Sequence, residues 1–235
     1  MMDARPPAEL RRIADRAAAE LHDATAEEVV GWAGRTFGHR LAVASSMADT
    51  VLVDLAARHA PGVHVLFLDT GYHFPETIGT RDAVAATYPI TLVTVVPEQT
   101  VAEQDRWYGP RLYTRDPDKC CALRKVAPLA GALKQYDAWV TGMRRDESPT
   151  RADTPVIGWD EQHGLIKINP LAAWTTTEVA EYAVRQGVLL NPLLSDGYLS
   201  VGCRPCTTRV SPGADPRSGR WAGRAKTECG LHLAK

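Results

Sequence analysis

The sequence predicts an α/β protein built around a parallel sheet. Short apolar segments alternate with amphipathic helical segments, which is typical of parallel sheets covered by helices on both faces. Polar or glycine-containing residues follow several of the apolar segments, and such sheets bind their ligands at that end of the strands. With 45% hydrophobic residues, the chain can form a substantial core.

The helices are predicted from apolar periodicity and from residues that favour helix ends. Helical patterns cover residues 8–22, 26–37, 49–59, 75–87 and 175–187. Ser46 or Asp49 is a suitable N-cap for the third helix, and Pro75 suits the first turn of the fourth. Glu178 near the start and Gly187 at the end bound the last helix.

The strands are predicted as short apolar segments that precede loops. They cover residues 41–44, 63–68, 90–96 and 137–141. Three of them lead into the loops Ser45-Ser46, Asp69-Thr70-Gly71 and Thr141-Gly142. Because parallel strands end at one edge of a sheet, we expect these loops to border a ligand. The 45–49 loop precedes a helix, whose N-terminal N–H groups favour an anion such as a nucleotide phosphate.

Composition and charge argue against several classes of function. The chain has 27 basic and 28 acidic residues and a net charge of −1, which argues against a globally basic nucleic-acid binder. No apolar run approaches the roughly 18–20 residues of a membrane span, and the N-terminus lacks the apolar segment of a signal peptide. We therefore expect a cytoplasmic protein with reduced thiols.

The sequence predicts two parts. Residues 1–206 form the nucleotide-binding and cysteine-containing α/β domain, and residues 207–235 form a mobile C-terminal arm. Much of the arm is rich in Gly, Pro, Ser and Arg and poor in apolar residues. From Cys203 onward the chain has seven basic and two acidic residues, so its C-terminal part is positive.

The five cysteines are the most informative residues for chemistry. Cys120 and Cys121 are adjacent, Cys203 and Cys206 form a CxxC pair, and Cys229 stands alone. Neighbouring residues hardly turn two thiolates toward one small ion, but they can reach two corners of a larger iron–sulfur cube. The pattern favours a [4Fe–4S] cluster and leaves zinc as an alternative. The fifth thiol is then free to act as a nucleophile, and nearby cations favour its thiolate.

Basic residues near the presumed strand ends favour an anionic substrate. They are Lys125, Arg144, Arg145, Arg151, Arg217 and Arg220. The sequence has no GxxxxGK[ST] motif, which argues against a conventional phosphoryl-transfer enzyme.

Together these motifs resemble the assimilatory adenylyl-sulfate (APS) reductases, which are related to the PAPS reductases. The resemblance extends from about Leu41 to His232. Its most specific parts are residues 119–125 (KCCALRK), 68–72 (LDTGY), 141–146 (TGMRRD), 202–207 (GCRPCT) and 228–232 (ECGLH). It implies a Rossmann-like fold of the adenine-nucleotide α-hydrolase kind with a mobile C-terminal arm.

The resemblance also implies roles for individual residues. One [4Fe–4S] cluster per subunit would be held by Cys120, Cys121, Cys203 and Cys206. Cys229 would be the catalytic nucleophile. The implied substrate-binding residues are Ser45, Ser46, Asp69, Thr70, Gly71, Lys125, Gly142, Arg144, Arg145, Arg217, Arg220 and His232. One difference is that Met47-Ala48 stand where the nucleotide loop of this superfamily usually carries glycine.

The implied reaction is the reduction of APS to sulfite and AMP. Cys229 would attack the sulfur of APS to form a Cys S-sulfonate, and reduced thioredoxin or a similar dithiol protein would release sulfite. The expected partners include neither nucleic acid nor a membrane, and the resemblance is compatible with a homo-oligomer.

Three alternatives stay open at this point. PAPS reductase has the same chemistry on a 3′-phosphorylated substrate. An ATP-pyrophosphatase-type sulfurtransferase uses a similar sheet, although residues 45–49 do not match its SGGxDS loop. The third alternative is a non-catalytic, zinc-stabilised binding domain.

Overall fold

The structure is a computed structural model that describes residues 5–232. Residues 1–4 of the predicted domain and 233–235 of the predicted arm lie outside the described residues. The α-helices are α1 (Pro7–Glu20), α2 (Ala26–Phe37), α3 (Val51–His59), α4 (Pro75–Thr87), α5 (Val101–Tyr108), α6 (Leu112–Arg115), α7 (Pro117–Cys121), α8 (Ala127–Leu133) and α9 (Thr176–Gln186).

The strands of the described chain form one six-stranded sheet. They are β1 (Leu41–Ala44), β2 (His64–Leu68), β3 (Thr91–Val95), β4 (Ala138–Val140), β5 (Ile157–Asp160) and β6 (Leu165–Ile168). Their order is β3-β2-β1-β4-β6-β5, and all neighbours are parallel except β5 and β6. The predicted parallel α/β architecture is confirmed.

The β5–β6 hairpin is absent from the prediction, and it makes the sheet mixed rather than purely parallel. Each of its strands has four residues, and Gly164 in the connecting turn has a φ of +69°. Such short segments carry too few residues for an alternating pattern to stand out. An antiparallel edge strand on a mostly parallel sheet is a common arrangement.

The start of α3 also differs from the prediction. The helix begins at Val51, and its N-cap is Thr50 in the left-handed conformation, rather than Ser46 or Asp49. The Asp49 carboxylate still accepts a hydrogen bond from the Val51 N–H at 3.0 Å. Asp49 therefore satisfies a first-turn donor without being the cap residue.

The sheet has a hydrophobic core on each face. On one face, residues from α1, α2, α3, α4 and α9 surround strand side chains such as Val43 and Val140. On the other, Leu129 of α8 packs with the fully buried Trp139 of β4. Leu231 of the arm packs against this second core. The C-terminal end of the chain thus helps to cover one face of the sheet.

Strand β1 is the point at which the sheet order diverges, because β2 lies on one side of it and β4 on the other. Val43 of β1 is in register with Val140 of β4. The loops that follow these two strands therefore begin side by side. In doubly wound sheets this position is the usual ligand site.

The C-terminal arm packs on the α/β domain as far as residue 232. Thr207 and Arg220 form an isolated antiparallel bridge. The backbone N–H of Trp221 donates to the Cys206 carbonyl at 3.0 Å, and Trp221 is only 3% exposed. The arm is therefore docked in this structure, and its mobility stays a prediction.

The described helices were compared with the length and hydropathy of a membrane-spanning helix. None of those in residues 5–232 combines the length and the apolar character that crossing a bilayer requires.

Candidate active site

Four of the five cysteines line one pocket at the carboxyl edge of the sheet. Cys120 and Cys121 form the end of α7, and Cys203 and Cys206 flank a short helical turn over Arg204–Cys206. All of them are free thiols. The other lining residues are Tyr72, Tyr113, Pro117, Arg124, Lys125, Pro205 and Trp221. The two cysteine pairs, far apart in sequence, are thus brought together.

A wide helical turn follows the cysteine pair directly. Ala122–Val126 form a π-helical turn between α7 and α8. A π turn inserts extra backbone into a helix and redirects the side chains within it, and such turns are frequent at functional sites. Arg124 and Lys125, which lie in this turn, both line the cysteine pocket.

The thiols of the pocket are held in an environment that disfavours their ionisation. Burial raises the pKa of the Cys120 thiol to about 12, and the neighbouring Cys121 and Cys203 thiols add to the effect. Burial also raises the pKa of Cys121 to about 11, although the charge of Lys125 acts in the opposite direction. Four thiolates in this space would repel one another. Metal ions that prefer soft ligands such as thiolates would offset that repulsion with their positive charge.

A single-ion site is not preformed in this pocket. Within residues 5–232, no group of three His, Cys, Asp or Glu side chains is arranged to hold one metal ion. The cysteines line the walls of the pocket instead.

The Asp69–Gly71 loop is tied to the pocket through Arg124, which is buried. The Arg124 Nε donates to the Thr70 carbonyl at 2.5 Å, and its Nη1 donates to Gln104 Oε1 at 3.2 Å. The Thr70 hydroxyl lies 3.2 Å from the Cys203 sulfur. Gly71 has a φ of +72°, and a Cβ there would come within 3.1 Å of Arg124 Nη2. Thr70 therefore faces the cysteines, whereas the sequence had predicted only a substrate contact.

Lys125 links the pocket to Cys229. Burial disfavours its charged form, but the charges of the Cys203 and Cys229 thiolates outweigh this, and the pKa of Lys125 is raised. The charge of Cys229 also contributes to the raised pKa of Cys121. Cys229, which is half-buried, therefore lies within electrostatic range of both. The docked arm thus brings the fifth thiol within electrostatic range of the four-cysteine pocket and of Lys125.

An ion-pair network holds the arm next to Cys229. Glu228 accepts hydrogen bonds from Arg151 Nε at 2.8 Å and Nη2 at 2.9 Å, and it lies 3.1 Å from Arg217 Nη2. Arg151 also donates to Glu147 at 2.5 Å. Burial raises the pKa of the Glu228 carboxyl, but the contacts with Arg151 and Arg217 outweigh it, so that the pKa is lowered.

Arg220 lies over the Trp221 ring, with its guanidinium carbon 4.6 Å from the ring centroid. Its Nη1 donates to the Val201 carbonyl at 3.4 Å, and its buried Nε has no hydrogen-bond partner among the described residues. A Cβ at Gly202 would overlap the Arg220 guanidinium, so a larger residue there would displace the arginine side chain. Arg220 is therefore held close to the CxxC segment, and its Nε–H is available to donate a hydrogen bond.

His232 stacks on the buried Trp139 ring, with centroids 5.6 Å apart and an interplanar angle of 17°. Its Nδ1 is buried and has no partner within residues 5–232. Burial is the main reason that the pKa of His232 is lowered well below its usual value, and the charges of Lys167, Arg151 and Arg217 add to it. The docked imidazole is therefore neutral.

The loop after β1 is compact and mostly polar. The Ser45 hydroxyl accepts from the Met47 N–H at 3.2 Å, and Ser46 is exposed. Met47 has a φ of +56°, a conformation that favours glycine. Met47 thus adopts a glycine-like conformation at the position where the resemblance implies glycine. The buried Asn191 supports the loop by donating from Nδ2 to the Met47 carbonyl at 3.0 Å.

The loop after β4 contains two adjacent basic residues, one buried and one exposed. Arg144 is buried and donates to Asp146 at 3.1 Å and to the Thr176 hydroxyl at 3.2 Å. Arg145 is exposed and donates to the Thr154 carbonyl. Gly142 is half-buried beside α3. Arg144 is thus already paired within the domain, and the assignment of Gly142, Arg144 and Arg145 to substrate binding stays a prediction.

The structure adds residues that the sequence-based site lacks. They are Arg124, Glu147, Arg151, Glu228, Trp139 and Trp221. Arg151 is one of the basic residues named in the sequence analysis, and Glu228 belongs to the ECGLH motif. Their contact could not be predicted, because the two residues are 77 positions apart in the sequence.

A comparison with protein families matches residues 39–209 to the phosphoadenosine phosphosulfate reductase domain. The chain belongs to this family. The match runs from just before β1 into the start of the arm and includes both cysteine pairs of the pocket. The resemblance predicted from the motifs is confirmed.

Several members of the family are similar over nearly their full length. A protein of Streptomyces coelicolor named adenosine 5′-phosphosulfate reductase is 61% identical over 232 residues, covering 99% of this chain and 98% of that protein. A protein of Mycolicibacterium smegmatis with the same name is 61% identical over 226 residues, covering 96% of each. A crystal structure of phosphoadenylyl-sulfate (PAPS) reductase from Candida auris, in a phosphate complex, is 33% identical with a TM-score of 0.73 and covers 83% of this chain and 96% of that one.

The neutral state of His232 predicts how docking of the arm depends on pH. Because the pKa is lowered in the docked state, the undocked arm binds the proton more readily, and docking weakens as the pH falls below about 6.5. Between pH 7.5 and 5.5 we expect labelling of Cys229 by a maleimide to increase by up to about tenfold relative to His232→Phe, which keeps an aromatic ring on Trp139. Mass spectrometry of the Cys229 peptide gives the rates. A constant ratio across this range would contradict the prediction.

Proposed function

We propose that this family member is an adenylyl-sulfate reductase that reduces APS to sulfite and AMP in sulfate assimilation, through an S-sulfonate on Cys229. One observation carries the proposal. Cys229 of the docked arm lies within electrostatic range of Lys125, which lines the four-cysteine pocket, and Arg217 and Arg220 belong to the same arm. A nucleophile, a cationic environment for an anionic sulfur group and a thiol-lined cofactor pocket are thereby combined in one site.

The choice of APS over related substrates rests on the relatives. The proteins that share 61% of their residues with this chain are named adenosine 5′-phosphosulfate reductase. The Candida auris protein named as a PAPS reductase shares 33%. The higher identity, over nearly the whole chain, favours APS.

The first step of the proposed reaction transfers the sulfo group to the enzyme. The Cys229 thiolate attacks the sulfur of APS, an S–S bond forms, and the bond between sulfur and the phosphate oxygen breaks. AMP leaves with the electron pair of that bond. Lys125 and the arm arginines would stabilise the charge that develops on the leaving phosphate.

The second step requires two electrons from a dithiol. A thiolate of reduced thioredoxin or a similar protein attacks the Cys229 sulfur, and sulfite leaves with the electron pair of the S–S bond. The second thiol of the partner then resolves the mixed disulfide and restores the Cys229 thiol. Since Cys229 is half-buried in the docked arm, this step requires the arm to move.

The four-cysteine pocket fits a [4Fe–4S] cluster. Its thiols are free, they come from two chain segments, and the pocket also contains the cationic Arg124 and Lys125. Cys120, Cys121, Cys203 and Cys206 would be the ligands. When bound, the cluster would supply a fixed anionic centre that is coupled electrostatically to Lys125. The free thiols also support a reducing compartment such as the cytoplasm.

The neutral imidazole of His232 and the loops after β1 and β2 complete the proposed substrate site. The unpartnered Nε of Arg220 is suited to donate to a bound phosphosulfate, and the unpartnered Nδ1 of His232 can donate to it in the tautomer that carries the proton on this atom. Ser45 and Ser46 would border the nucleotide near the point where β1 and β4 diverge.

Replacement of the nucleophile tests the first step. Cys229→Ser should bind APS and retain iron as the wild type does, but it should form no S-sulfonate, because a serine hydroxyl is not ionised at neutral pH and lacks the sulfur nucleophile. Mass spectrometry after addition of APS measures the sulfonate on the peptide that contains residue 229. Full turnover by this variant would refute the assignment of Cys229.

Metal analysis tests the cofactor. Anaerobically purified protein should be brown and contain about four irons per chain, as this cluster type requires. Cys203→Ser should lose most of the iron, because one soft thiolate ligand is replaced by a hydroxyl. Cys229→Ser is the matched control and should retain it. A colourless protein that contains zinc would instead favour the zinc-domain alternative.

Competing nucleotides test the substrate. The loop at residues 45–50 contains Asp49 and no lysine or arginine, so it offers no countercharge for an additional 3′-phosphate. At equal, low concentrations we expect sulfite release from APS to be at least about tenfold faster than from PAPS. Equal or faster release from PAPS would make the chain a PAPS reductase. ATP consumption with pyrophosphate release would favour the sulfurtransferase alternative.

A further inference from the structure

Glu228 immediately precedes Cys229 and makes the strongest ionic contact between the arm and the α/β domain near that thiol. Both of its carboxylate oxygens accept hydrogen bonds from Arg151, at 2.8 and 2.9 Å. A bidentate contact of this kind fixes orientation as well as distance. The side chains of Arg151 and Glu228 are 10% and 12% exposed, so solvent screens the pair only weakly.

The partner of Glu228 is itself held in place. Arg151 donates to Glu147 at 2.5 Å, and Glu147 lies in the loop that follows β4. On the other side, Arg217 of the arm lies 3.1 Å from Glu228. The four side chains form a chain of alternating charge, in which Glu228 connects the domain arginine to the arm arginine. Removing this carboxylate would leave two half-buried or buried guanidinium groups facing each other.

Two other polar contacts of the arm in this region are exposed. Arg224 donates to the Thr114 carbonyl at 2.6 Å, and Lys226 pairs with Asp118, whose side chain is 79% exposed. Exposed pairs contribute little because water and salt screen them. After Cys229, Leu231 and His232 hold the chain by packing on the second core and on Trp139. Cys229 therefore lies between an ionic contact on one side and an apolar contact on the other.

We propose that Glu228 is a positioning residue, which holds Cys229 in its reactive place by pairing with Arg151 and which at the same time orients Arg217. The proposal rests on the proposed function in one respect, that Cys229 is the nucleophile. It adds a role for a carboxylate that would otherwise repel an anionic substrate. Its place in this site is explained by the two guanidinium groups that it neutralises and aligns.

The test compares Glu228→Gln with Glu161→Gln, each as the full-length, iron-loaded protein. Glu161 also pairs with an arginine, Arg11 at 2.7 Å, but the two side chains are 70% and 47% exposed and neither belongs to the arm. In Glu228→Gln we expect maleimide labelling of Cys229 without substrate to be at least about fivefold faster, because the arm undocks more often. The single-turnover rate of S-sulfonate formation at saturating APS should fall by at least about tenfold. Glu161→Gln should match the wild type in both.

Two further variants separate positioning from general stability. Glu228→Asp keeps the charge and should recover much of the wild-type rate and protection. In an Arg151→Gln background, Glu228→Gln should have little additional effect on labelling, because the pair is already broken. A purely structural role would instead change the melting temperature and leave the selective exposure of Cys229 and the coupling with Arg151 unaffected.

The outcomes are distinct. Unchanged labelling of Cys229 in Glu228→Gln, or additive effects of the Glu228 and Arg151 replacements, would overturn the proposal. If Glu228→Gln does not fold, the labelling and S-sulfonation rates of Glu228→Asp and of Arg151→Lys provide the same comparison. If the wild type forms no S-sulfonate at all, the proposed function fails, and the labelling rates still decide whether Glu228 holds the arm.

Discussion

The close approach of four thiols at one edge of the sheet is the constraint on which the site depends. Thiolates gathered at one place repel one another and are poorly solvated when buried, as the raised pKa values of Cys120 and Cys121 indicate. These thiols can therefore ionise only if positive charge lies nearby. Arg124 and Lys125 provide it from a single helical turn that follows the cysteine pair. The backbone that presents the thiols is thus the same backbone that presents their cations.

The arm is held in place by strand β4 and by the loop that follows it. Strand β4 contributes Trp139, whose ring packs with α8 on one side of the second core and stacks with His232 of the arm. The loop after the same strand contributes Glu147, which fixes Arg151 and, through it, Glu228. Correct placement of Cys229 therefore depends on a strand that lies at the divergence point of the sheet. Fold stability and the geometry of the site are coupled through this strand.

Much of this arrangement could be predicted from the sequence, for physical reasons. Apolar segments with polar ends marked β1 to β4, and the spacing of the cysteines marked the pocket. The π turn could not be predicted, because no residue preference separates it from an ordinary helical turn. The Glu228–Arg151 pair joins segments 77 residues apart, so only the folded chain brings it together. The four-residue strands β5 and β6 were too short to give a clear pattern.

The burial of Trp221 limits how far Cys229 can move from the α/β domain. Its indole is enclosed by the domain, and Arg217 and Arg220 precede it in the chain, whereas Cys229 follows it by eight residues. A fully extended tether of that length spans roughly 26–29 Å. As long as the indole keeps its place, Cys229 can reach only positions within this radius. In the reaction proposed above, the dithiol protein would have to contact the Cys229 sulfur inside this volume.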